Sequence, residues 1–145
     1  MADKDPNAEA DRVKRHIMAS PHTAALGVEV IGTSKGRGRL RVPWRAELVA
    51  DPETEVIASG VVTVLIDHAC GMACAMAGDP PQTNATLDLR IDYMRPARPR
   101  HAITAEAVCY RLTRSVGFVR AQAWDVDESD PVATAQAAFM LNPRG

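Results

Sequence analysis

Aromatic side chains are scarce in this sequence: two each of Trp, Tyr and Phe, 4% of 145 residues. With Trp44, Tyr93, Tyr110, Phe118, Trp124 and Phe139 as the whole supply, the chain says little about the shape of any pocket. An excess of charge of one sign is missing too. Seventeen Lys and Arg against eighteen Asp and Glu leave a formal net charge of −1, which offers no global attraction to nucleic acid or an acidic membrane, although arginines gather after residue 94. Cysteines number three, Cys70, Cys74 and Cys109. They cannot all pair internally, and two stand four apart in an apolar run, which suits reduced thiols and a cytoplasmic location. A metal reading of that pair with His68 lacks a fourth ligand and a paired C-x-x-C knuckle. The cysteines therefore read as buried small hydrophobes, and no metal is expected. The N-terminal Met-Ala-Asp-Lys-Asp-Pro-Asn has no apolar h-region, so no signal peptide is expected. No internal repeat or low-complexity tract appears, and the length suits one domain able to bury a real core.

What is present is one exceptional stretch. From Val61 to Ala77 every residue except Thr63, Asp67 and His68 is apolar or Gly, and a helix apolar all round must be wrapped by the rest of its domain. Ser59 reads as its N-cap, and Gly78-Asp79-Pro80-Pro81 as its stop. It is just short of bilayer length and carries Asp67 and His68 centrally, where charge is most expensive, so it is not read as a membrane span. Burying an ionised carboxylate is costly unless something pairs with it, so a chain that keeps Asp67 there is expected to use it. Neighbouring positions on a helix point about 100° apart, which argues against an Asp67–His68 dyad and makes His68 a hydrogen-bonded core or interface histidine.

Residues 6–20 form an amphipathic helix with Ala10, Val13, Ile17 and Met18 near one face, ended by Ser20-Pro21. Leu26–Ile31 reads as a strand, Gly32–Gly38 as a turn and Arg39–Pro43 as the second arm of a hairpin. Ala50–Glu55 is a loop leading to the central helix. In Asn84–Met94 residues 85, 87, 89, 91 and 93 are apolar and the even-numbered ones from 84 to 92 polar, a strict period of two. Two prolines in Arg95–Arg100 end that strand. Residues 102–111, 117–126 and 132–141 follow as three more strands on short links, hence antiparallel neighbours. The fold class is α+β, an antiparallel sheet curved around one long helix.

These residues carry a resemblance. Leu26-Gly27, Gly60 through Asp67, Asp92-Tyr93-Met94-Arg95-Pro96-Ala97-Arg98, Arg114 and Val132-Ala133-Thr134-Ala135 together resemble the hotdog-fold acyl-CoA thioesterases, in particular the phenylacetate-pathway (PaaI-like) branch, over residues 24–141. The resemblance implies a hotdog domain over residues 23–145 with residues 1–22 as a helical lead-in. It also implies a homodimer, often paired into a tetramer, and hydrolysis of acyl-CoA to a carboxylic acid and free coenzyme A without cofactor. Asp67 falls where the family keeps its general base or nucleophile. Where relatives have His-Gly-Gly at the helix start, with a backbone N–H for the oxyanion, this chain has Ala58-Ser59-Gly60. The polar residue that relatives keep in the preceding loop, often Asn, has no match in Asp51–Glu55. Thr86 lies where some relatives place a serine hydroxyl near the carboxylate; an ordinary β-branched strand residue is the competing reading.

Arg95, Arg98, Arg100 and Arg114 are candidates for a clamp on the phosphates of coenzyme A, whose oxygens suit guanidinium forks; one or two of the four are expected to serve so, and a solvated rim is the competing reading. A non-hydrolytic acyl-CoA binding module is the alternative function. A hydratase is disfavoured because Asp67 and His68 are adjacent instead of spaced.

Overall fold

The computed structural model describes residues 6–142; the signal-peptide expectation rests mainly on Met1–Asp5, outside them. Two helices, α1 (Pro6–Met18) and α2 (Pro21–Leu26), precede a hairpin of β1 (Glu29–Ser34) and β2 (Arg37–Val42). A short 3-10 turn at Ala46–Leu48 leads to α3 (Ser59–Ala77). Four strands follow: β3 (Thr83–Tyr93), β4 (Ile103–Leu112), β5 (Val116–Trp124) and β6 (Ala133–Asn142). They form one antiparallel six-stranded sheet in the order β1-β2-β4-β5-β6-β3, with α3 across its concave face. The expected α+β arrangement is met.

Three local details differ from the sequence reading. Leu26 ends a helix instead of starting a strand. Ser20 is extended and Pro21 takes the first helical position, where its missing N–H costs nothing. Gly27, at φ 70°, closes the turn with its own N–H on Ala24 O and that of Val28 on Thr23 O. The β1–β2 turn is also tighter than Gly32–Gly38, shrinking to Lys35-Gly36 with Gly36 at φ 68°. Finally, Ala58 and not Ser59 is the N-cap of α3. The chain arrives extended through a Val49–Ile57 bridge, and Ala58 N–H donates to Leu48 O at 2.9 Å, so the helix begins one residue earlier and no side chain caps it.

The scarcity of aromatics has a packing counterpart. The strand faces beneath α3 are paved with buried alanines (105, 107, 121, 123, 133, 135 and 137), which let the helix settle close to the sheet. At Gly38 even a Cβ would approach Ala69 O and Met72 Cβ to 3.0 Å, and at Gly117 it would collide with Cys74 Sγ. Leu65, Ile66, Met72, Leu40 and Ile103 fill the space between. α3 is long and apolar enough to cross a membrane by length and composition, but its apolar faces are spent on this core. Cys70 and Cys74 are fully buried, and burial pushes both thiols up to about 12. They stay protonated and pack as hydrophobes.

Candidate active site

One stripe of α3 escapes burial. Gly60, Thr63, Val64, Asp67 and Gly71 recur at helical spacing, and all remain exposed or half-buried. Asp67 is therefore half-buried at the edge of the core, not enclosed as the apolar context had suggested. Opposite the stripe runs the first half of β3. Thr86 Oγ1 donates to Asp67 Oδ1 at 2.9 Å, Asn84 Nδ2 donates to Gly71 O at 2.9 Å, and Gln82 N–H donates to Ala75 O at 3.3 Å. The helix and the chain from Gln82 to Thr86 are joined in step at three points over about two turns. Asp67 Oδ2 has no partner among the described residues.

A bulge makes that seam possible. The β3–β6 register slips between Thr86 and Asp88, leaving Leu87 unpaired and 55% exposed. Side chains facing α3 are thus Asn84 and Thr86 before the bulge, and Leu89, Ile91 and Tyr93 after it. The single apolar face expected from 85 through 93 holds only for the second half, because one extra residue inverts the alternation. Polar side chains reach the helix where the carboxylate is, and apolar ones reach it where the core is.

Beside the seam lies a groove of about 340 Å³ that α1 walls on its other flank. Asp67, Thr86 and His68 stand at one end, and Val13, Ile17, Met72 and Phe139 supply apolar surface. His68, half-buried, makes a 3.2 Å hydrogen bond between its Nε2 and Oγ1 of the fully buried Thr23, so it is hydrogen-bonded as expected but stands at the edge of the core. Burial lowers its pKa, Asp67 opposes that and His22 adds to it.

Val61 and Val62 N–H both reach back to Ala58 O, so Ser59 and Gly60 present N–H groups ahead of the first intrahelical bonds. Tyr93, which the sequence did not single out, holds this turn: its hydroxyl lies 2.9 Å from Ser59 O, as donor, and 2.6 Å from Thr63 Oγ1. The signal available was its place at the inward end of a strand followed by Arg95-Pro96. Ser59 and Asp67 are eight residues apart on one helix, about 12 Å along its axis.

The four arginines divide. Arg95 makes a bidentate pair with the buried Asp125 at 2.7 and 2.9 Å, and also meets Asp130. Arg95, helped by the N–H groups of Arg98 and Val126, holds the Asp125 carboxyl well below the usual range. Arg100, at φ 58°, forks onto Glu55 at 2.7 and 2.8 Å, and Glu55 O accepts from Trp44 Nε1. Both side chains thus anchor loops. The exposed guanidiniums of Arg98 and Arg114 make no hydrogen bond among the described residues, and Arg98 is one of the charges that favour the ionised form of Asp127.

Comparison with known proteins bears on the family of the chain. A family model described as "Thioesterase superfamily" matches residues 54–132, which takes in α3, the whole of β3 and the loop carrying Arg98. The "Putative esterase VNG_1336C" of Halobacterium salinarum is 34% identical over 115 residues, covering 77% of this chain and 72% of that protein. The medium/long-chain acyl-CoA thioesterase YigI of Escherichia coli is 25% identical over 134 residues, covering 83% and 85%. A crystal structure of a Pseudomonas aeruginosa protein superposes with a TM-score of 0.83 at 35% identity, covering 91% of this chain and 98% of that one.

Proposed function

The chain belongs to the thioesterase superfamily, with the hotdog fold of that family, and from that premise we propose that it hydrolyses acyl-CoA thioesters with Asp67 as the reacting carboxylate. The observation that carries the reading is Asp67 at one end of a groove with an apolar wall, one oxygen held by Thr86 and the other without a partner among the described residues. A carboxylate so oriented takes a proton from water as the water oxygen bonds to the thioester carbonyl carbon. The carbonyl oxygen becomes an oxyanion, the C–S bond breaks as it collapses, and the proton passes from Asp67 to the departing sulfur. A free acid and the thiol of coenzyme A result. Direct attack by Asp67 would give a mixed anhydride, hydrolysed in a second step.

The oxyanion needs a donor within about 3 Å, and the helix start of the same protomer is about 12 Å away. The donor is therefore the Ser59 N–H of a second copy, at the positive end of that copy's α3 dipole, with Gly60 leaving the approach clear since nothing lies within 4 Å of where its Cβ would stand. β3 ends the sheet, and an edge strand is where a twofold-related copy pairs. The active unit is then a homodimer with two shared sites. Arg98 and Arg114, with free guanidiniums, are the members of the arginine group suited to the phosphates of coenzyme A.

Turnover of a panel of acyl chains on coenzyme A and on acyl-carrier protein, with Asp67→Asn as control, tests the proposal. Hydrolysis abolished by Asp67→Asn supports it. Tight binding without hydrolysis by the unmodified protein would replace it with the acyl-CoA binding module, in keeping with the Ala58-Ser59 departure at the helix start.

A further inference from the structure

Position 71 lies one helical turn beyond Asp67, on the same stripe and lining the same groove. It is glycine, although α3 begins and ends elsewhere and no turn or positive φ demands glycine there. In a helix interior Gly is disfavoured relative to Ala, so packing is where its reason is to be sought. An added Cβ would come to 3.4 Å from Phe139 Cε1 and 3.5 Å from Asn84 Oδ1, ordinary contact that the surroundings accept without moving. What that Cβ would take is room in the groove. Beyond it the groove continues another turn to Ala75, between Met72, Ile17 of α1 and the chain around Pro81.

We infer that Gly71 is a specificity-determining residue: its missing side chain lets an acyl chain run from Asp67 past the first turn toward Ala75. The inference rests on the thioesterase reading and adds a substrate class, unbranched acyl groups long enough to occupy the far half. From Asp67 to Ala75 the stripe spans eight residues, about 12 Å, so an acetyl or butyryl group ends before Gly71 while an octanoyl or decanoyl group passes it. Ile17, Met72, Ala75 and Phe139 give the groove an apolar wall beyond Asp67, with Gln82 and Thr83 also lining it, and the carbonyl of Gly71 is already occupied by Asn84. α1 belongs to this site as its outer wall, through Val13 and Ile17.

The test measures kcat/KM over acetyl-, butyryl-, hexanoyl-, octanoyl- and decanoyl-CoA for the wild type, Gly71→Ala and Gly71→Val. A group filling an apolar pocket by one methylene changes kcat/KM by about 10–200-fold. The decanoyl-to-acetyl ratio is therefore expected to fall at least about tenfold in Gly71→Ala and further in Gly71→Val. Ala75→Val, one turn deeper, should reject decanoyl while retaining hexanoyl, so that two positions give two cut-offs. Equal changes at every chain length, or an unchanged ratio in both Gly71 variants, overturn the gate. Binding of nonhydrolysable acetyl and decanoyl thioether analogues, measured by calorimetry, separates this inference from its premise. If no thioester is turned over, the enzymatic reading fails, yet length-selective binding lost in Gly71→Val still supports the gate, and binding indifferent to length in both proteins overturns it.

Discussion

Thr86 reaches Asp67 at 2.9 Å only because Leu87 is looped out of the β3–β6 ladder. Without that bulge the two halves of β3 would share one alternation, and either Thr86 would turn away from the helix or Leu89 and Ile91 would leave the core.

Thr86→Val keeps the β-branched shape and removes the donor. A hydrogen bond to a charged group contributes about 1.5–3 kcal/mol, so kcat/KM should fall about 10–150-fold. The loss should appear mainly in kcat, because the bond orients the reacting group and does not touch the acyl chain. Steady-state kinetics on a saturating acyl-CoA checks this, and an unchanged kcat would return Thr86 to an ordinary strand residue.

Asp67→Asn preserves shape and the ability to accept from Thr86 while removing charge and basicity. The fold should persist, with stability equal or slightly higher as a half-buried charge is lost, and kcat should drop about 10²–10⁴-fold. Thermal unfolding and kcat on one preparation decide between a reacting carboxylate and a structural one: near-normal turnover in a stable variant removes Asp67 from the mechanism.

Ser59→Pro deletes one N–H at the first helical position, where proline is favoured, and Ala58 at φ −61°, ψ 140° already has the backbone a residue before proline prefers. Alone, Ser59→Pro and Asp67→Asn should each be nearly inactive. Mixed after unfolding and refolding, they should regain roughly a quarter of wild-type activity, since half the dimers are mixed and each carries one intact site. Failure to complement would mean that both groups act within one protomer.

Among the arginines, Arg98→Ala and Arg114→Ala should raise KM for acyl-CoA and leave KM for the matching acyl-pantetheine nearly unchanged, since only the former has distal phosphates. An exposed pair contributes less than about 1 kcal/mol, so each change should stay under about fivefold unless the contact is desolvated. Arg95→Ala should instead lower the unfolding temperature, because it strands the buried Asp125. Equal KM shifts on both substrates would assign Arg98 and Arg114 to the solvated rim.

Asp125 also sets a pH dependence. Its folded pKa lies below the unfolded value because Arg95 and two backbone N–H groups bind the charged form. The associated stability is present above the unfolded pKa of about 3.9 and is lost as pH falls below it toward the folded one. The difference in unfolding temperature between the wild type and Asp125→Asn should therefore be largest near neutrality and shrink on acidification. A gap constant with pH would show that the pairing does not discriminate the ionised form.

Much of this was written in the sequence, and what was not has identifiable causes. The central helix was legible because nothing but a buried helix accommodates residues 61–77, and Asp67 stood out by its cost there. β4, β5 and β6 were legible from short links and alternating apolar residues. The bulge was not, because Thr86-Leu87-Asp88 carries no glycine or proline and a register slip belongs to the pairing, not to either strand. Pro21 was read as a stop when it is also a favoured start. Arg95 and Arg100 looked like their neighbours, since composition cannot say which guanidinium meets a carboxylate 30 or 45 residues away. Gly71 went unnoticed because its meaning lies in the space beside it.

The three hydrogen bonds that join α3 to Gln82 and the start of β3 have one more consequence, which comes from comparing two rulers. Four helical residues advance about 6.0 Å and two strand residues about 6.6 Å, so the two scales nearly coincide and drift apart by only about 0.6 Å per rung. Three rungs accumulate little mismatch, and the extra residue at Leu87 resets the count before a fourth is needed. The Asp67 carboxylate and the depth of the groove are thus graduated on a common vernier. Substitutions at 71 or 75 can lengthen or shorten what fits without moving the zero mark at Asp67, whereas a single-residue insertion between Gln82 and Thr86 would displace every graduation at once.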